Sequence, residues 1–148
     1  MKPALIISAC LLGNPCRYDG KSVKKIDVSE LSEKYRLIPV CPEVDGGLPT
    51  PRTPSERIGE KVLMRDGRDV TENYRRGAEK TLEAALLSGA KAALLKSRSP
   101  SCGKGKIYDG TFSGILKDGD GVTAELLLSR GIRVYTEDEI SLLIERES

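Results

Sequence analysis

The sequence predicts an α/β fold with a mostly parallel sheet. Two patterns support this prediction: short apolar runs alternate with segments of helical periodicity, and loops rich in glycine, proline and charge separate them. Strands that alternate with helices pair in parallel and are covered by helices on both faces. We therefore expect residues 1–148 to form a single three-layer α/β/α domain of the Rossmann-like or flavodoxin-like kind.

Four apolar runs supply the expected strands of this sheet. They are residues 4–9, 37–40, 91–96 and 132–135. Pro39 cannot donate a ladder hydrogen bond, which favours an irregular or edge-like position for the second strand. A further run, residues 61–65, is typical of a small strand that leads into a turn.

Helical periodicity is clearest over residues 70–88, where Thr71 is the candidate N-cap and Gly89 the expected end. Thr136 and Glu139 have capping-box spacing at the start of a last helix. Two other helices are expected over residues 28–35 and 120–130. Long polar loops are expected over residues 11–25, 41–54 and 97–114.

Composition narrows the class of protein. The net charge is +2, aromatic residues make up 4% and Trp is absent, so nothing favours a nucleic-acid partner. The first residues lack a signal-peptide pattern, and no apolar run approaches the roughly 20 residues that span a bilayer. We therefore expect a cytoplasmic protein with no membrane partner and no nucleic-acid partner.

The chain has no histidine. This excludes Ser-His-Asp and Cys-His catalysis and every metal site that uses imidazole. Proton transfer near neutral pH must then use carboxylates, Lys, Tyr, Cys, water or a metal-bound group. In a reducing cytosol, the 4 cysteines are more often metal-binding, catalytic or inert than disulfide-bonded.

Three of these cysteines are expected at one edge of the sheet, because Cys10 and Cys41 end predicted strands and Cys102 follows a third. A three-cysteine iron–sulfur cubane fits such dispersed thiolates and keeps one iron open to a substrate. Zinc is less well matched, because Cys10 and Cys16 do not form a C-x₂₋₄-C pair. Redox-active cysteines and inert cysteines in tight turns remain alternatives.

The residues beside the cysteines fit a reactive site. Glu43 is a candidate general base, with a solvent-facing loop carboxylate as its alternative. Ser99 and Ser101 are candidates for orienting a substrate, although serines beside Pro and Gly often form turns. Basic residues in the same loops either cover solvated surface or face an anionic ligand. They are Arg17, Arg52, Lys96, Arg98, Lys104 and Lys106.

Six ordered motifs span nearly the whole chain. They are Ser8–Gly13, Cys16–Gly20, Val40–Glu43, Gly46–Arg52, Ser97–Gly103 and Ile107–Ser113. Together they resemble the signature of a bacterial family long labelled a domain of unknown function, whose characterised members are thiouracil desulfidases. The resemblance implies a small-molecule substrate, a thiolated pyrimidine, for a protein that is a monomer or a homodimer.

The resemblance also implies a [4Fe–4S] cluster held by Cys10, Cys41 and Cys102, with Cys16 not a ligand. Glu43 and one serine, Ser99 or Ser101, are the implied catalytic partners. The implied reaction is hydrolysis of a carbon–sulfur bond at an open iron. Two alternatives stay open: cluster-dependent sulfur transfer to a nucleoside or cofactor, and a non-enzymatic thiol or metal sensor.

Overall fold

The computed structural model describes residues 2–16, 18–20 and 26–147. In chain order, the strands are β1 (Ala4–Ser8), β2 (Arg36–Val40), β3 (Ser55–Ile58), β4 (Lys61–Met64), β5 (Ala92–Leu95), β6 (Lys106–Tyr108), β7 (Leu116–Asp118) and β8 (Arg133–Thr136). The helices are α1 (Ser29–Lys34), α2 (Pro42–Asp45), α3 (Thr71–Ser88), α4 (Val122–Ser129) and α5 (Ile140–Glu147), with 3₁₀ turns at Ala9–Leu12 and Glu137–Glu139.

A parallel sheet in the order β2-β1-β5-β8 forms the centre of the described chain. Ile6 of β1 lies opposite Ile38 of β2 and Ala93 of β5, and Leu94 of β5 lies opposite Tyr135 of β8. The order reverses between β1 and β5, which is the switch point where doubly wound sheets bind ligands. The predicted α/β fold with a parallel sheet is confirmed, and Pro39 lies on an edge strand as expected.

Apolar side chains cover both faces of this sheet. On one face, Ile6 and Leu95 pack with Leu82 of α3 and Leu127 of α4. The other face is covered by α1, the residue that caps its C-terminus, α5 and the first 3₁₀ turn. The buried residues there are Leu5, Ile7, Leu11, Leu31, Tyr35, Ala92, Leu94, Tyr135 and Leu143. Strands buried on both faces read as continuous apolar runs, and this explains why their positions could be predicted.

Some of the predicted loops contain regular structure. Segment 41–54 includes α2, and segment 97–114 includes β6, which pairs with β7. The predicted strand at 61–65 pairs with β3 in a second hairpin. Part of the predicted loop 11–25, namely Arg17 and residues 21–25, lies outside the described residues.

The helix boundaries follow local capping chemistry. The prediction that Thr71 is the N-cap of α3 is wrong, because the helix begins at Thr71 and Val70 is the capping position. The carboxylate of Asp69 accepts hydrogen bonds from both the amide and the hydroxyl of Thr71. The predicted capping box is present, since the Glu139 carboxylate accepts the Thr136 amide at 3.0 Å. Gly89 ends α3 with φ of 73°.

Helix α2 packs directly on the backbone of α3. A Cβ atom on Gly77 would lie 1.8 Å from the carbonyl oxygen of Pro42, and one on Gly46 would lie 2.0 Å from that of Asn73. The Asn73 side-chain amide donates to the Gly46 carbonyl at 2.9 Å. Glycine is therefore required at both contacts, and together they set the position of α2 on α3.

Among the helices of the described residues, none is long and apolar enough to cross a membrane.

We predict that Gly77→Ala destabilises the protein by about 1–3 kcal/mol, the range for overpacking a filled contact. Helix propensity alone predicts that Gly77→Ala stabilises the protein, because alanine favours a helix interior by about 1 kcal/mol over glycine. Urea unfolding measures the difference. Glu79→Ala, at an exposed position of the same helix, is the matched control and should change stability by less than about 0.5 kcal/mol. A Gly77→Ala variant as stable as the parent would contradict this packing argument.

Candidate functional site

Three cysteines lie beyond the carboxyl ends of three adjacent strands. Cys10 is in the 3₁₀ turn that follows β1, Cys41 comes directly after β2, and Cys102 is in the loop after β5. All three line one cavity of about 780 Å³, together with Glu43 and Ser101. The structure thus places these five predicted site residues around a common space at the switch point of the sheet.

The Cys102 loop is held by the start of α4. The amides of Gly121, Val122 and Thr123 donate to the carbonyls of residues 103, 100 and 101 at 2.7, 2.8 and 2.8 Å. These amides have no partner within their own helix, so the loop satisfies them. A Cβ on Gly121 would lie 2.5 Å from the Ser101 backbone, so glycine is what allows this close approach.

The Cys102 thiol is buried beside two hydroxyl groups. Ser8 Oγ and Ser101 Oγ each lie 3.6 Å from Cys102 Sγ. Ser8 Oγ accepts the Lys96 amide at 2.9 Å, which leaves the Ser8 hydroxyl proton free to point at the sulfur. Burial raises the pKa of Cys102 to about 12, and the two hydroxyls partly oppose that shift.

Cys16 contacts Cys10 and Cys41. The pKa of Cys16 is raised mainly by a hydrogen-bond contact with Cys10. The pKa of Cys41 is raised mainly by a hydrogen-bond contact with Cys16. The Cys41 thiol also faces the carbonyl oxygen of Cys16, with Sγ and O 3.8 Å apart. All 4 cysteines are free thiols that line the cavity.

Within the described residues, no group of three or more Cys, Asp or Glu side chains is arranged to hold a single metal ion.

Glu43 is fixed at one carboxylate oxygen. It lies in α2, where the Cys41 amide is bound by Asp45 at 3.3 Å. Arg52 donates to Glu43 Oε1 from Nε at 3.2 Å and from Nη2 at 3.0 Å. The other oxygen, Oε2, accepts the Ser101 hydroxyl at 3.0 Å. Glu43 therefore lies in a helix, lines the cavity and has a partner on each oxygen, which differs from a solvent-facing loop carboxylate.

The two serines of the loop have different partners. Ser99 Oγ accepts the amides of Ser101 and Cys102, both at 3.0 Å. A hydroxyl has one proton and two acceptor positions, so the Ser99 proton is left for Ser101 Oγ at 2.9 Å. Ser101 in turn donates to Glu43 or to the Cys102 sulfur. Ser99 thus shapes the loop, and Ser101 connects the carboxylate with the cysteine.

Two residues at this site were not predicted as site residues. Ser8 is the last residue of β1 and is 3% exposed. Tyr74 of α3 is buried, and its hydroxyl contacts Glu43 and Ser55. Burial and the nearby Glu43 charge raise the pKa of Tyr74 well above its usual value. Two signals could have indicated Ser8: it is a polar residue at the end of a buried strand, and it begins the motif Ser8–Gly13.

Most of the basic residues predicted near the site form ion pairs. Lys96 binds Glu137 at 2.7 Å, and Lys104 binds Glu139 at 3.2 Å. Lys106 binds Asp118, and Arg52 binds Glu43. Arg98 is exposed and lines the cavity, whereas Arg17 lies outside the described residues.

Comparison with known proteins identifies the family. The sequence profile of the 2-thiouracil desulfurase family matches residues 5–139. The uncharacterized protein YbbK of Bacillus subtilis (strain 168) is 43% identical to this chain, and the match covers 93% of this chain and 97% of YbbK. A solved structure of TudS, a [4Fe-4S]-dependent thiouracil desulfidase, superposes with a TM-score of 0.93 at 48% identity and 97% coverage of both chains. This chain therefore belongs to the 2-thiouracil desulfurase family.

Proposed function

We propose that this protein is a [4Fe–4S]-dependent desulfidase that removes sulfur from thiouracil or a related thiolated pyrimidine by hydrolysis. One observation supports this most directly: a single cavity is lined by three cysteines, which follow three adjacent strands, and by a carboxylate hydrogen-bonded to a serine. The similarity to a [4Fe-4S]-dependent thiouracil desulfidase at 48% identity supports the same assignment.

The donor set fits the cluster. Cys10, Cys41 and Cys102 offer three soft sulfur donors from three separate loops, and iron–sulfur clusters accept such dispersed thiolates. The cavity of about 780 Å³ has room for a cluster and a small ring together. When bound by three cysteines, the cluster supplies an open iron, a Lewis acid that suits a thiocarbonyl sulfur.

Glu43 is the proposed general base. Its Oε2 atom lies at the cavity beside Ser101 and takes a proton from the water that attacks the carbon bearing the sulfur. The balance is one thioamide and one water giving one oxo base and hydrogen sulfide. Ser101 holds Oε2 in place, and Ser99 holds Ser101, so we assign Ser101 to catalysis and Ser99 to the shape of the loop.

The proposal extends to the setting of the reaction. The substrate is a free small molecule rather than a nucleic acid, and no membrane takes part. A thiolate-held cluster is most secure in a reducing compartment, so we place the enzyme in the cytoplasm, as a monomer or homodimer.

The decisive test is turnover by protein purified without oxygen. We expect iron and sulfide in a ratio of about one cubane per chain, and loss of the 2-thiouracil absorbance with release of uracil and sulfide. A protein that binds no iron after anaerobic reconstitution would rule out the proposal. A cluster-loaded protein that leaves 2-thiouracil and 4-thiouracil unchanged would rule out the substrate class.

Cysteine variants test the ligand set. We expect Cys10→Ser, Cys41→Ser and Cys102→Ser each to lose most of the iron, measured by chemical analysis and by the visible absorption of the reconstituted protein. Cys16→Ser is the matched control, because Cys16 lies in the same cavity and is not assigned as a ligand. Loss of iron in Cys16→Ser would show that four cysteines hold the metal and that no iron is left open.

Serine variants separate catalysis from loop structure. Ser101→Ala should lower kcat by about 100-fold with iron content and melting temperature retained, because Glu43 Oε2 loses its partner. Ser99→Ala leaves two amides without an acceptor, so it should lose about 1–3 kcal/mol of stability, and Ser99→Thr should restore it. Equal kcat losses in Ser101→Ala and Ser99→Ala, at equal stability, would contradict the assignment.

A further inference from the structure

We propose that Arg52 is the residue that positions the catalytic carboxylate, and that it does so through the geometry of its guanidinium rather than its charge alone. This inference rests on the proposed function, because it assumes that Glu43 is the general base. It adds a role for a residue to which the sequence assigns none, although Arg52 is one of the basic loop residues and ends the motif Gly46–Arg52.

Every N–H bond of the Arg52 guanidinium has an acceptor. A guanidinium has five N–H donors. Two of them go to Glu43 Oε1, from Nε at 3.2 Å and from Nη2 at 3.0 Å. The remaining Nη2 proton goes to the Cys16 carbonyl at 3.0 Å. The two Nη1 protons go to the Pro49 carbonyl at 3.0 Å and to Thr50 Oγ1 at 3.1 Å. No donor is left to bind a substrate.

These bonds make the two oxygens of Glu43 unequal. Oε1 accepts both hydrogen bonds from Arg52, whereas Oε2 accepts the Ser101 hydroxyl. The Tyr74 hydroxyl also contacts this carboxylate. The carboxylate cannot rotate without breaking the contacts on both sides. Arg52 therefore leaves Oε2 free of its own hydrogen bonds, and Oε2 is the oxygen to which we assign the proton from a water in the cavity.

The same side chain ties the carboxylate to a cysteine loop. Arg52 Nη2 donates to the Cys16 carbonyl oxygen, and the Cys41 thiol lies 3.8 Å from the same oxygen. The Arg52 side chain is only 3% exposed, and that of Glu43 is 17% exposed. Removal of one partner from such a buried pair is costly, because the remaining charge is left without compensation.

Lysine cannot replace this arrangement. Its ammonium group has three donors on a single nitrogen, so it cannot reach two sides of the loop and Glu43 Oε1 together. A role that depended on charge alone would survive Arg52→Lys, whereas a role that depends on the planar fork would not.

The test compares Arg52→Lys with Arg57→Lys in cluster-loaded protein. Arg57 is a matched control: it is also buried and bonds Gly59, Asp120 and Glu125, but it does not line the cavity. Both variants should lose stability. Arg52→Lys should also lose about 100-fold in kcat with KM for 2-thiouracil within about threefold and iron content unchanged, whereas Arg57→Lys should keep kcat.

A second variant covers the case in which Arg52→Lys does not fold. Arg52→Gln keeps one amide group that can donate to Glu43, and its kcat, KM and iron content are compared with those of the parent in the same way. Added methylguanidinium should restore part of kcat in Arg52→Ala in a concentration-dependent manner, which a defect in folding alone would not permit.

Three results would overturn the proposal: Arg52→Lys with kcat within about threefold of the parent, a change in KM with kcat unchanged, or equal kcat losses in Arg52→Lys and Arg57→Lys. Because parent turnover is measured first, an inactive parent refutes the proposed function, whereas an active parent with an active Arg52→Lys variant refutes only the role of Arg52.

Discussion

Parallel pairing of β1 with β2 on one side and β5 on the other determines where the proposed site of this protein lies. Parallel strands end at the same edge, so the segments that follow them share one space. Cys10, Cys41 and Cys102 follow these three strands and meet in one cavity, although they are far apart in the chain. A register shift of one residue would move every side chain of a strand to the opposite face of the sheet. The packing of the sheet core and the positions of the cysteines therefore depend on the same strand pairing.

Different backbone and side-chain contacts then hold each of the segments that leave this edge. The first turn of α4 binds the carbonyls of the Cys102 loop, and a glycine at position 121 allows the approach. Gly77 lets α2 rest on the backbone of α3, which places Glu43 at the cavity. Arg52 joins α2 to the Cys16 segment. The sheet brings the reactive groups into range, and these backbone contacts orient them.

The difference between the sheet and the contacts around it explains what could be predicted from the sequence. The strands of the sheet were predictable because residues such as Leu5, Ile6 and Ile7 form continuous apolar runs buried on both faces. The convergence of the cysteines followed from strand order. The β3–β4 and β6–β7 hairpins were less apparent, because strands of 3 or 4 residues with exposed, charged positions have no clear alternation. Helix α2 has only 4 residues and depends on packing against α3.

The finer geometry of the site depends on contacts between segments that have no sequence signal. Glu43 and Arg52 are 9 residues apart, but their pairing depends on the path of a proline-rich loop. Ser99 and Ser101 could not be distinguished by residue type, and the difference appears only when each proton and lone pair is assigned a partner. A pattern of residue types predicts which groups are near one another, whereas hydrogen-bond directions require the folded loop.

A carboxylate in a partly buried site must satisfy two opposing requirements. It needs partners, because an unpaired buried charge is costly, and it needs one free lone pair, because a base with every lone pair occupied cannot accept a proton. Placing both Arg52 bonds on Oε1 meets the first requirement without using Oε2, which accepts the Ser101 hydroxyl. Arg52 contacts a single oxygen of Glu43 rather than forming the symmetrical bidentate pair that is common for arginine and carboxylates. This arrangement keeps Arg52 off Oε2, the oxygen of the proposed general base.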